Sequence, residues 1–319
     1  MTDTGAKLVI SLDFELHWGV RDHLRVEQYR ENLLGVRQAI PAMLDLFQRY
    51  EVHATWATVG MLFAETKKQL EAHIPSRIPG YTDNSLSPYL ALHEVGTDEA
   101  SDPFHFAPSL IRQIAASPHQ ELATHTFSHY YPLEAGQTAE DFEHDLRAAA
   151  AIAAPFGDVC QSIVFPRNQL NPAYLDVLDR CGVRAMRGNG THWAYAPLPY
   201  HQENPARRAA RLLDAYLPLV PTTRHIRRET QGPVDVSASI FFRPYKERFR
   251  AGDSLRIQRI NRAMTHAADT GGMLHLWWHP HNFGTHLREN LALLTQVLDH
   301  FAKLRRTHAM QSLSMREAS

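Results

Sequence analysis

The chain has 319 residues and a nearly balanced charge, with 33 Lys and Arg against 34 Asp and Glu. This length can bury a sizeable core, and α/β barrels of about this size commonly form one domain. The near-zero net charge provides no global field that would attract nucleic acid or an anionic membrane. We therefore expect one domain without a nucleic-acid partner, in which any charged ligand is held locally.

The N-terminal segment is short and polar, and the apolar run after it contains Asp13 and Glu15, which excludes the core of a signal peptide. No apolar run approaches the roughly 20 residues of a membrane-spanning helix. The two cysteines, Cys160 and Cys181, have no spacing typical of a disulfide framework. These features predict a cytoplasmic protein without a membrane span, and they leave the oligomeric state open.

Short apolar runs, each followed by a longer helical pattern, recur along the chain, as is typical of parallel strands with helical crossovers. The predicted strands are 8–14, 52–59, 121–124, 162–165, 183–186, 234–242 and 273–278. Two stretches, 73–108 and 187–233, break this alternation, and we interpret them as functional insertions in a single domain that covers residues 1–319. The pattern predicts an α/β fold, either a barrel or an open sheet, whose active site forms at the carboxyl ends of the strands.

The first predicted strand ends in Asp13-Phe14-Glu15. Residues two apart in an extended chain project to the same side, so Asp13 and Glu15 are expected to point together. Two adjacent carboxylates repel each other unless a cation or a proton separates them. The pair is either a solvated strand end or part of a site that holds a cation.

The third predicted strand is followed by His125-Thr126-Phe127-Ser128-His129. One helical turn there would place the two imidazoles on one face, about 6 Å apart, where they could share a metal ion. In a chain with 20 histidines this spacing can also arise by chance. Together with a carboxylate from a neighbouring strand end, the pair makes a two-histidine, one-carboxylate site, as in catalytic zinc and some iron enzymes.

The fourth predicted strand ends in Phe165-Pro166-Arg167-Asn168. Arg167 could pair with a carboxylate at the same edge of the sheet and keep it ionised. A lone arginine at a strand end is otherwise a solvated side chain.

The last predicted strand places His279 and His281 at its carboxyl end, whereas His275 lies mid-strand and is interpreted as a hydrogen-bonded core residue. Trp277 and Trp278 form either a sugar-stacking wall or plain core. Polar candidates thus follow the first, third, fourth and seventh predicted strands. Independent accidents would rarely collect at one edge of a sheet, so the sequence predicts a single site there.

At these residues the chain resembles the polysaccharide deacetylases, the carbohydrate esterase family that shares the NodB homology domain. The segment from His125 to His129 matches that family's H-(S/T)-x-x-H metal motif in full, and VHATWATVG at 52–60 resembles its second strand. The resemblance runs from Val9 to about Phe283. It implies a distorted (β/α) barrel with seven or eight parallel strands, and a metal-dependent hydrolase that removes an acyl group from an N-acylated sugar.

Carried over residue by residue, the resemblance makes Asp13 the general base, Arg167 the tether of that base, and His279 the catalytic acid. It makes His125 and His129 metal ligands, and Glu15 is the expected third ligand. It implies one divalent ion, zinc first, with cobalt, nickel or iron as alternatives. The expected substrate-binding residues are Trp18, Tyr130, Asn168, Arg243, Trp278 and His281.

The chain departs from the family pattern in two places. The common first motif has adjacent aspartates, whereas here Phe14 takes the second position and the next acid is Glu15, as in a divergent branch. The usual proline after the arginine is absent, and Pro166 precedes Arg167 instead, so the backbone donor of this loop cannot be placed. The family's tryptophan-bearing motif has no match, although RPY at 243–245 lies at a suitable place.

We expect the substrate to be a small-molecule or lipid-linked sugar with an N-acetyl or N-formyl group, a cytoplasmic intermediate of surface-polysaccharide biosynthesis. Arginines before the sixth predicted strand could hold its phosphates, or could form a solvated helix face. They are Arg207, Arg208, Arg211, Arg224, Arg227 and Arg228.

Three other functions stay open. A cyclic amide hydrolase of the allantoinase type has a related fold and similar strand-end motifs. A non-haem iron oxygenase uses the same ligand set, but the βα alternation disfavours its usual all-β barrel. A non-catalytic carbohydrate-binding relative would keep the barrel without the chemistry, and the presence of the base, both metal histidines, the arginine and the acid in one chain argues against it.

Overall fold

The computed structural model describes residues 5–224, 226 and 232–319. Arg227 and Arg228, two of the expected phosphate ligands, lie outside this range. The strands are β1 (Lys7–Phe14), β2 (Ala54–Thr58), β3 (Gln120–Thr124), β4 (Ser162–Ile163), β5 (Ala185–Met186), β6 (Val234–Asp235), β7 (Ile240–Phe241), β8 (Met273–Trp278) and β9 (Gln311–Leu313). The helices are α1 (Val26–Tyr50), α2 (Lys67–Ala72), α3 (Pro108–Ala116), α4 (Ala139–Ala153), α5 (Leu175–Arg180), α6 (Pro205–Asp214), α7 (Asp253–Thr270), α8 (Leu287–His308) and α9 (Met315–Ala318).

The strands form one sheet in the order β6-β5-β4-β3-β2-β1-β8-β7, with β9 beside β1. The ladders between neighbouring strands are parallel, so their carboxyl ends meet at one edge. The sheet curls into a half-barrel with helices outside it, and the predicted distorted (β/α) barrel is confirmed.

The predicted strand 234–242 is divided into β6 and β7. β6 pairs with β5 at one end of the sheet, and β7 pairs with β8 at the other end. Between them, the Ala238 N–H donates to the Gly188 carbonyl and the Ser239 N–H donates to the His275 carbonyl. This bridging segment, residues 236–239, therefore joins the two ends of the curled sheet through the chain itself.

β1 is buried on both faces, as expected for the centre of a parallel sheet. Leu8, Ile10 and Leu12 belong to the main core beneath the helices. The alternate residues face the inside of the barrel, where Ser11 and Asp13 contact polar side chains from other strands. Val9, on the same side as Ser11, packs in a separate apolar cluster, so the inside of the barrel is apolar there and polar towards the carboxyl ends of the strands.

The long helix α1 packs against the segment after β8. A Cβ at Gly35 would lie 1.9 Å from the carbonyl oxygen of Gly284, so only glycine allows this approach. The Asn32 side chain donates to the His281 carbonyl at 3.0 Å and to the Thr285 hydroxyl at 3.2 Å. These contacts hold the segment that carries His281 against the helix layer.

None of the helices within the described residues is long and apolar enough to cross a membrane.

Candidate metal and catalytic site

Asp13 lies near the end of β1 and is buried beside Arg187. The Arg187 Nη1 and Nη2 atoms donate to the two carboxylate oxygens of Asp13 at 2.6 and 2.7 Å. Burial alone would raise the pKa of Asp13, but the charge and hydrogen bonds of Arg187 bring it below its usual value. Asp13 is therefore an ionised carboxylate with a fixed orientation.

Glu15 follows β1 and lies against the two histidines of the predicted metal motif. Its Oε2 atom is 3.1 Å from the Nε2 atom of His129 and 3.4 Å from the Nε2 atom of His125. Burial raises the pKa of Glu15, but the neighbouring histidines bring it well below its usual range. A Cβ at Gly19 would lie 2.0 Å from the carboxyl carbon of Glu15, so the glycine leaves room for this carboxylate.

The second nitrogen of each histidine is hydrogen-bonded away from Glu15. The Nδ1 atom of His125 donates to the Val164 carbonyl at 2.8 Å, and this tautomer leaves a lone pair on its Nε2 atom. That Nε2 atom is buried and has no hydrogen-bond partner in the described chain. The Nδ1 atom of His129 and the Tyr131 hydroxyl share a hydrogen bond of 3.0 Å, and burial lowers the pKa of His129 to about 4.

The three side chains together form a group that could hold a metal ion. One oxygen of Glu15 and one nitrogen each of His125 and His129 lie within 4.8 Å of one another, and all three residues are buried. Below, these three residues are called the triad. The triad brings together the three metal ligands that the sequence predicted.

The predicted helical turn between the two histidines is wrong. Thr126 and His129 have φ angles of 65° and 58°, which a helix does not contain, and the imidazole centroids are 5.1 Å apart. Asp145 on α4 holds this loop by accepting hydrogen bonds from the Phe127 N–H at 2.6 Å, the Ser128 N–H at 3.2 Å and the Ser128 hydroxyl. A tight loop on a buried carboxylate therefore replaces the helix.

His279, directly after β8, faces both acids across the site. Its Nε2 atom is 3.8 Å from the Asp13 Oδ2 atom and 3.6 Å from the Glu15 Oε1 atom. His281 stacks on it with the ring centroids 5.0 Å apart, and burial lowers the pKa of His281 to about 3. His279 is the more exposed of the two rings, so it is the imidazole that can meet a substrate.

The tether of Asp13 was placed on the wrong arginine. Arg167 does not bind Asp13: its Nη2 atom donates to Asp22, and its guanidinium lies between the rings of Tyr131 and Tyr200, 4.6 and 4.4 Å from their centroids. Arg187 takes the predicted role. It follows β5 directly, so it has the same sequence feature as Arg167, an arginine just after a parallel strand.

A family model described as polysaccharide deacetylase matches residues 34–186, a range that contains both triad histidines. The predicted polysaccharide deacetylase family is confirmed. The matched family comprises hydrolases that act on the C–N bond of N-acetyl sugars, and the predicted enzyme class is confirmed at this level. A search of curated proteins finds none that matches the chain.

Solved structures resemble this chain at low sequence identity. A candidate polysaccharide deacetylase from Mycobacterium smegmatis is 13% identical, with a TM-score of 0.59 over 99% of this chain and 89% of that one. A second candidate deacetylase, from Pseudomonas aeruginosa PAO1, is 12% identical, with a TM-score of 0.56 over 98% of this chain and 89% of that one. A 4-alpha-glucanotransferase from Thermococcus litoralis gives 0.55 at 10% identity, over 98% of this chain and 40% of that one. At these identities the likeness shows the fold alone, and one fold can host different chemistries.

A cavity of about 360 Å³ opens over the predicted catalytic side chains. Asp13, Glu15, His129 and His279 line it, as does Arg167. Two of the expected substrate-binding residues, Asn168 and His281, also line this cavity, and a third, Arg243, lines the cleft beside it.

The other three expected substrate-binding residues are buried in the core. Trp18 donates its indole N–H to the His105 carbonyl at 3.0 Å, and the Tyr130 hydroxyl donates to Gln137 at 2.7 Å. Trp278 points to the helix side of β8 and joins the main core. Because side chains alternate along a strand, Trp277 faces the barrel instead and lines the cavity.

His275 lies deeper in the barrel, as the interpretation of a core histidine requires. Its Nε2 atom and the Ser11 hydroxyl share a hydrogen bond of 2.8 Å, and its Nδ1 atom donates to the Val236 carbonyl at 2.8 Å. Burial lowers the pKa of His275 to about 3. Ser11 also accepts from Arg187 at 3.0 Å, so a polar network supports Asp13 from below.

Proposed function

We propose that the protein is a metal-dependent N-deacetylase that hydrolyses the N-acyl amide of a sugar. The observation that carries this proposal is the triad, in which a buried, unpartnered imidazole nitrogen of His125 lies 3.4 Å from Glu15. Beside it, Asp13 is kept ionised by Arg187. The triad offers metal ligands, and Asp13 offers a base next to them.

The triad suits a catalytic zinc ion. Two neutral imidazoles and one carboxylate form the usual three-ligand set of catalytic zinc, which leaves positions open for water and substrate. Cobalt, nickel and ferrous iron accept the same donors, so these ions are alternatives. Glu15, His125 and His129 would hold the ion.

The chemistry divides between the ion and the residues of the chain. When bound, the ion supplies a Lewis acid that polarises the amide carbonyl and acidifies a water molecule. Asp13 accepts the proton from the attacking water, whose oxygen adds to the carbonyl carbon. The two hydrogen bonds from Arg187 fix the direction of the Asp13 carboxylate towards this proton.

His279 is placed to act as the general acid. The C–N bond breaks with its electrons on nitrogen, and a sugar amine leaves poorly as an anion, so it needs a proton as it departs. The Nε2 atom of His279 lies 3.8 Å from the Asp13 Oδ2 atom and 3.6 Å from the Glu15 Oε1 atom, so the imidazole faces the site where the amine would leave. The products are the free amine and the carboxylic acid of the acyl group.

The biological setting is part of the same proposal. We propose a cytoplasmic intermediate of surface-polysaccharide biosynthesis as the substrate, with an acetyl or formyl group on its amine. The cavity of about 360 Å³ has room for one sugar unit, and Trp277 offers an aromatic face for it. Both cysteines are free, as in a reducing compartment.

Asp13→Asn tests the base. Turnover of N-acyl sugars should fall by roughly 10²–10⁴-fold, the usual contribution of a general base. Metal content measured by mass spectrometry should stay at the wild-type level, since Asp13 is outside the triad. A variant that retains most of the wild-type rate would disprove this role.

His129→Ala tests the triad. Metal content and activity should both be lost, whereas the exposed His308→Ala should retain both. Stoichiometric metal in His129→Ala would contradict the site. Release of acetate or formate from N-acyl sugars, compared with ring opening of allantoin, separates the proposal from a cyclic amide hydrolase.

A further inference from the structure

A second cleft of about 340 Å³ adjoins the catalytic cavity. The two share Arg167, Asn168, Phe241 and Trp277 in their walls. The far wall of this second cleft comes from α6 and from the segment before it, inside the predicted insertion 187–233. A substrate that lies on the triad can therefore extend directly into this cleft.

The walls of the cleft carry an excess of positive charge. Five arginines face two carboxylates: Arg167, Arg207, Arg211, Arg243 and Arg259 against Glu203 and Asp214. We call this space the arginine cleft. Two of the expected phosphate ligands, Arg207 and Arg211, belong to it, whereas Arg208 and Arg224 line neither it nor the catalytic cavity.

Most of these arginines are already paired. The Arg259 Nη2 atom is 2.9 Å from an Asp214 oxygen, and the Arg211 Nη2 atom is 3.0 Å from a Glu203 oxygen. Glu203 also lies 3.9 Å from Arg207. The charges of Arg207, Arg211 and Arg259 are therefore largely compensated by Glu203 and Asp214, and these ion pairs stabilise the wall.

Arg243 is different. Its Nη2 atom donates to the Arg211 carbonyl at 3.2 Å, and no carboxylate in the described part of the chain lies within 4.0 Å of its guanidinium. Burial is the main cause that lowers the pKa of Arg243, with Tyr195 and Tyr216 acting against it and the guanidinium groups of Arg256 and Arg211 acting with it. A partly buried cation among other cations is costly unless an anion compensates it.

The wall around Arg243 is rigidly built. Asp214 accepts from the Tyr195 hydroxyl at 2.7 Å and from the backbone N–H groups of Leu219 and Val220 at 3.1 and 3.0 Å. These bonds fix the end of α6 beside Arg259. The unpaired charge of Arg243 therefore lies beside a wall that hydrogen bonds and an ion pair hold in place.

We infer that the arginine cleft binds an anionic group of the substrate, a phosphate or a carboxylate, with Arg243 as its main ligand. A guanidinium matches either oxyanion through two parallel N–H donors. The substrate is then an N-acyl sugar that carries a negative charge next to the unit on the triad. That the acyl group reacts at the triad rests on the proposed function. Binding of an anion in the arginine cleft does not depend on it.

Calorimetric titration of the full chain with inorganic phosphate and with glucuronate tests the inference. Both probes, or one of them, should bind saturably, and Arg243→Gln should weaken that binding roughly tenfold or more, as loss of a charge-assisted hydrogen bond predicts. Arg243→Lys keeps the charge without the two parallel donors and should lose less. Arg208→Gln is the control, because Arg208 is an exposed arginine of α6 that lines neither cavity, and this variant should bind like the wild type.

The two probes identify the source of the anion. Dependence of phosphate binding on Arg243 indicates a phosphate-bearing sugar, and dependence of glucuronate binding indicates an acidic sugar. Equal affinities in the wild type and in a folded Arg243→Gln variant, or no saturable binding of either probe, would overturn the inference. Thermal unfolding followed by circular dichroism establishes that each variant is folded.

His129→Ala separates this site from the triad. Phosphate held at a metal centre would be lost in His129→Ala and retained in Arg243→Gln, and this result would also overturn the inference. Phosphate held in the arginine cleft gives the opposite pattern. Because binding is measured without turnover, failure of the deacetylase proposal leaves this test intact.

Discussion

The triad and the arginine cleft share a wall, but they are built from different kinds of backbone. The triad comes from the ends of β1 and β3 and from the loop after β3, so strand register places it. The arginine cleft comes mainly from α6 and the segment before it, and side-chain ion pairs place it. The sheet therefore positions the proposed metal ligands and base, whereas the insertion beside it forms the proposed anion site.

Arg187 connects the two regions. It binds Asp13 on one side and the Asn168 side chain on the other at 2.9 Å, and its guanidinium lies 4.3 Å from the ring centroid of Trp277. Asn168 and Trp277 line both spaces. Loss of Arg187 should therefore affect both regions at once.

Arg187→Gln should have the largest effect, because it leaves Asp13 buried without its counter-charge. Breaking a buried ion pair in this way costs about 3–5 kcal/mol of unfolding free energy. Urea unfolding measures this, and anion binding should weaken together with activity, since both regions lose support. Arg180→Gln is the control, since its pair with Glu143 is exposed. Equal stability of the two variants would contradict the central role of Arg187.

Asp214→Asn should damage the arginine cleft and leave the triad intact. The amide keeps one oxygen acceptor but loses the charge that Arg259 faces, at a cost of roughly 1.5–3 kcal/mol. Phosphate binding should weaken, and metal content should stay unchanged. Loss of metal in this variant would show that the two regions are not independent.

Asp145→Asn should weaken the triad and leave the arginine cleft intact. Burial raises the pKa of Asp145 to about 7, so the carboxyl is partly neutral at neutral pH and the amide costs only about 1 kcal/mol of stability. Asparagine keeps one oxygen acceptor, so its NH₂ group leaves unpaired either the Phe127 N–H or the N–H and hydroxyl of Ser128, and the loop that carries His129 should loosen. Metal affinity measured by competition with a chelator should fall, while phosphate binding persists. Unchanged metal affinity would show that the hydrogen bonds of Asp145 to this loop do not position His129 for metal binding.

The smallest effect concerns pH. His129 has a folded-state pKa of about 4, and His275 and His281 have values of about 3, below the ordinary value of 6.5. As the pH falls from the ordinary value of 6.5 towards these folded-state values, the unfolded chain binds protons that the folded chain does not. The unfolding free energy therefore falls. Asp145 acts in the opposite sense, because its raised pKa means that the folded chain takes up a proton first.

His275→Gln isolates one of these groups. Between roughly pH 4 and 6 the slope of unfolding free energy should become shallower by up to about 1.4 kcal/mol per pH unit. Urea unfolding at several pH values measures the slope, and the exposed His308→Gln should leave it unchanged. An unaltered slope in His275→Gln would mean that this imidazole is not held neutral.

The sequence was sufficient for the elements whose geometry is local. The apolar run of β8 was predicted with its observed bounds. Asp13 and Glu15 could be placed together because each follows from strand alternation and the position of a strand end. The triad was therefore accessible from residue spacing and the family resemblance together.

Other features depend on distant contacts that no local pattern reveals. Arg187 could not be distinguished from Arg167, because both follow parallel strands and only the curl of the sheet determines which one reaches Asp13. The left-handed backbone at His129 depends on Asp145 from another helix. The unpaired state of Arg243 depends on where the acids of the cleft lie, which tertiary packing alone decides.

The bridging segment at 236–239 has a consequence for the size of ligand that the barrel admits. It ties Gly188, which follows β5, to β8, the strand that carries Trp277 in the wall of the cavity. Because the bridging segment has only four residues, it limits how far the two ends of the curled sheet can separate. We expect relatives with a longer bridging segment to accept wider substrates, even where every catalytic side chain is the same.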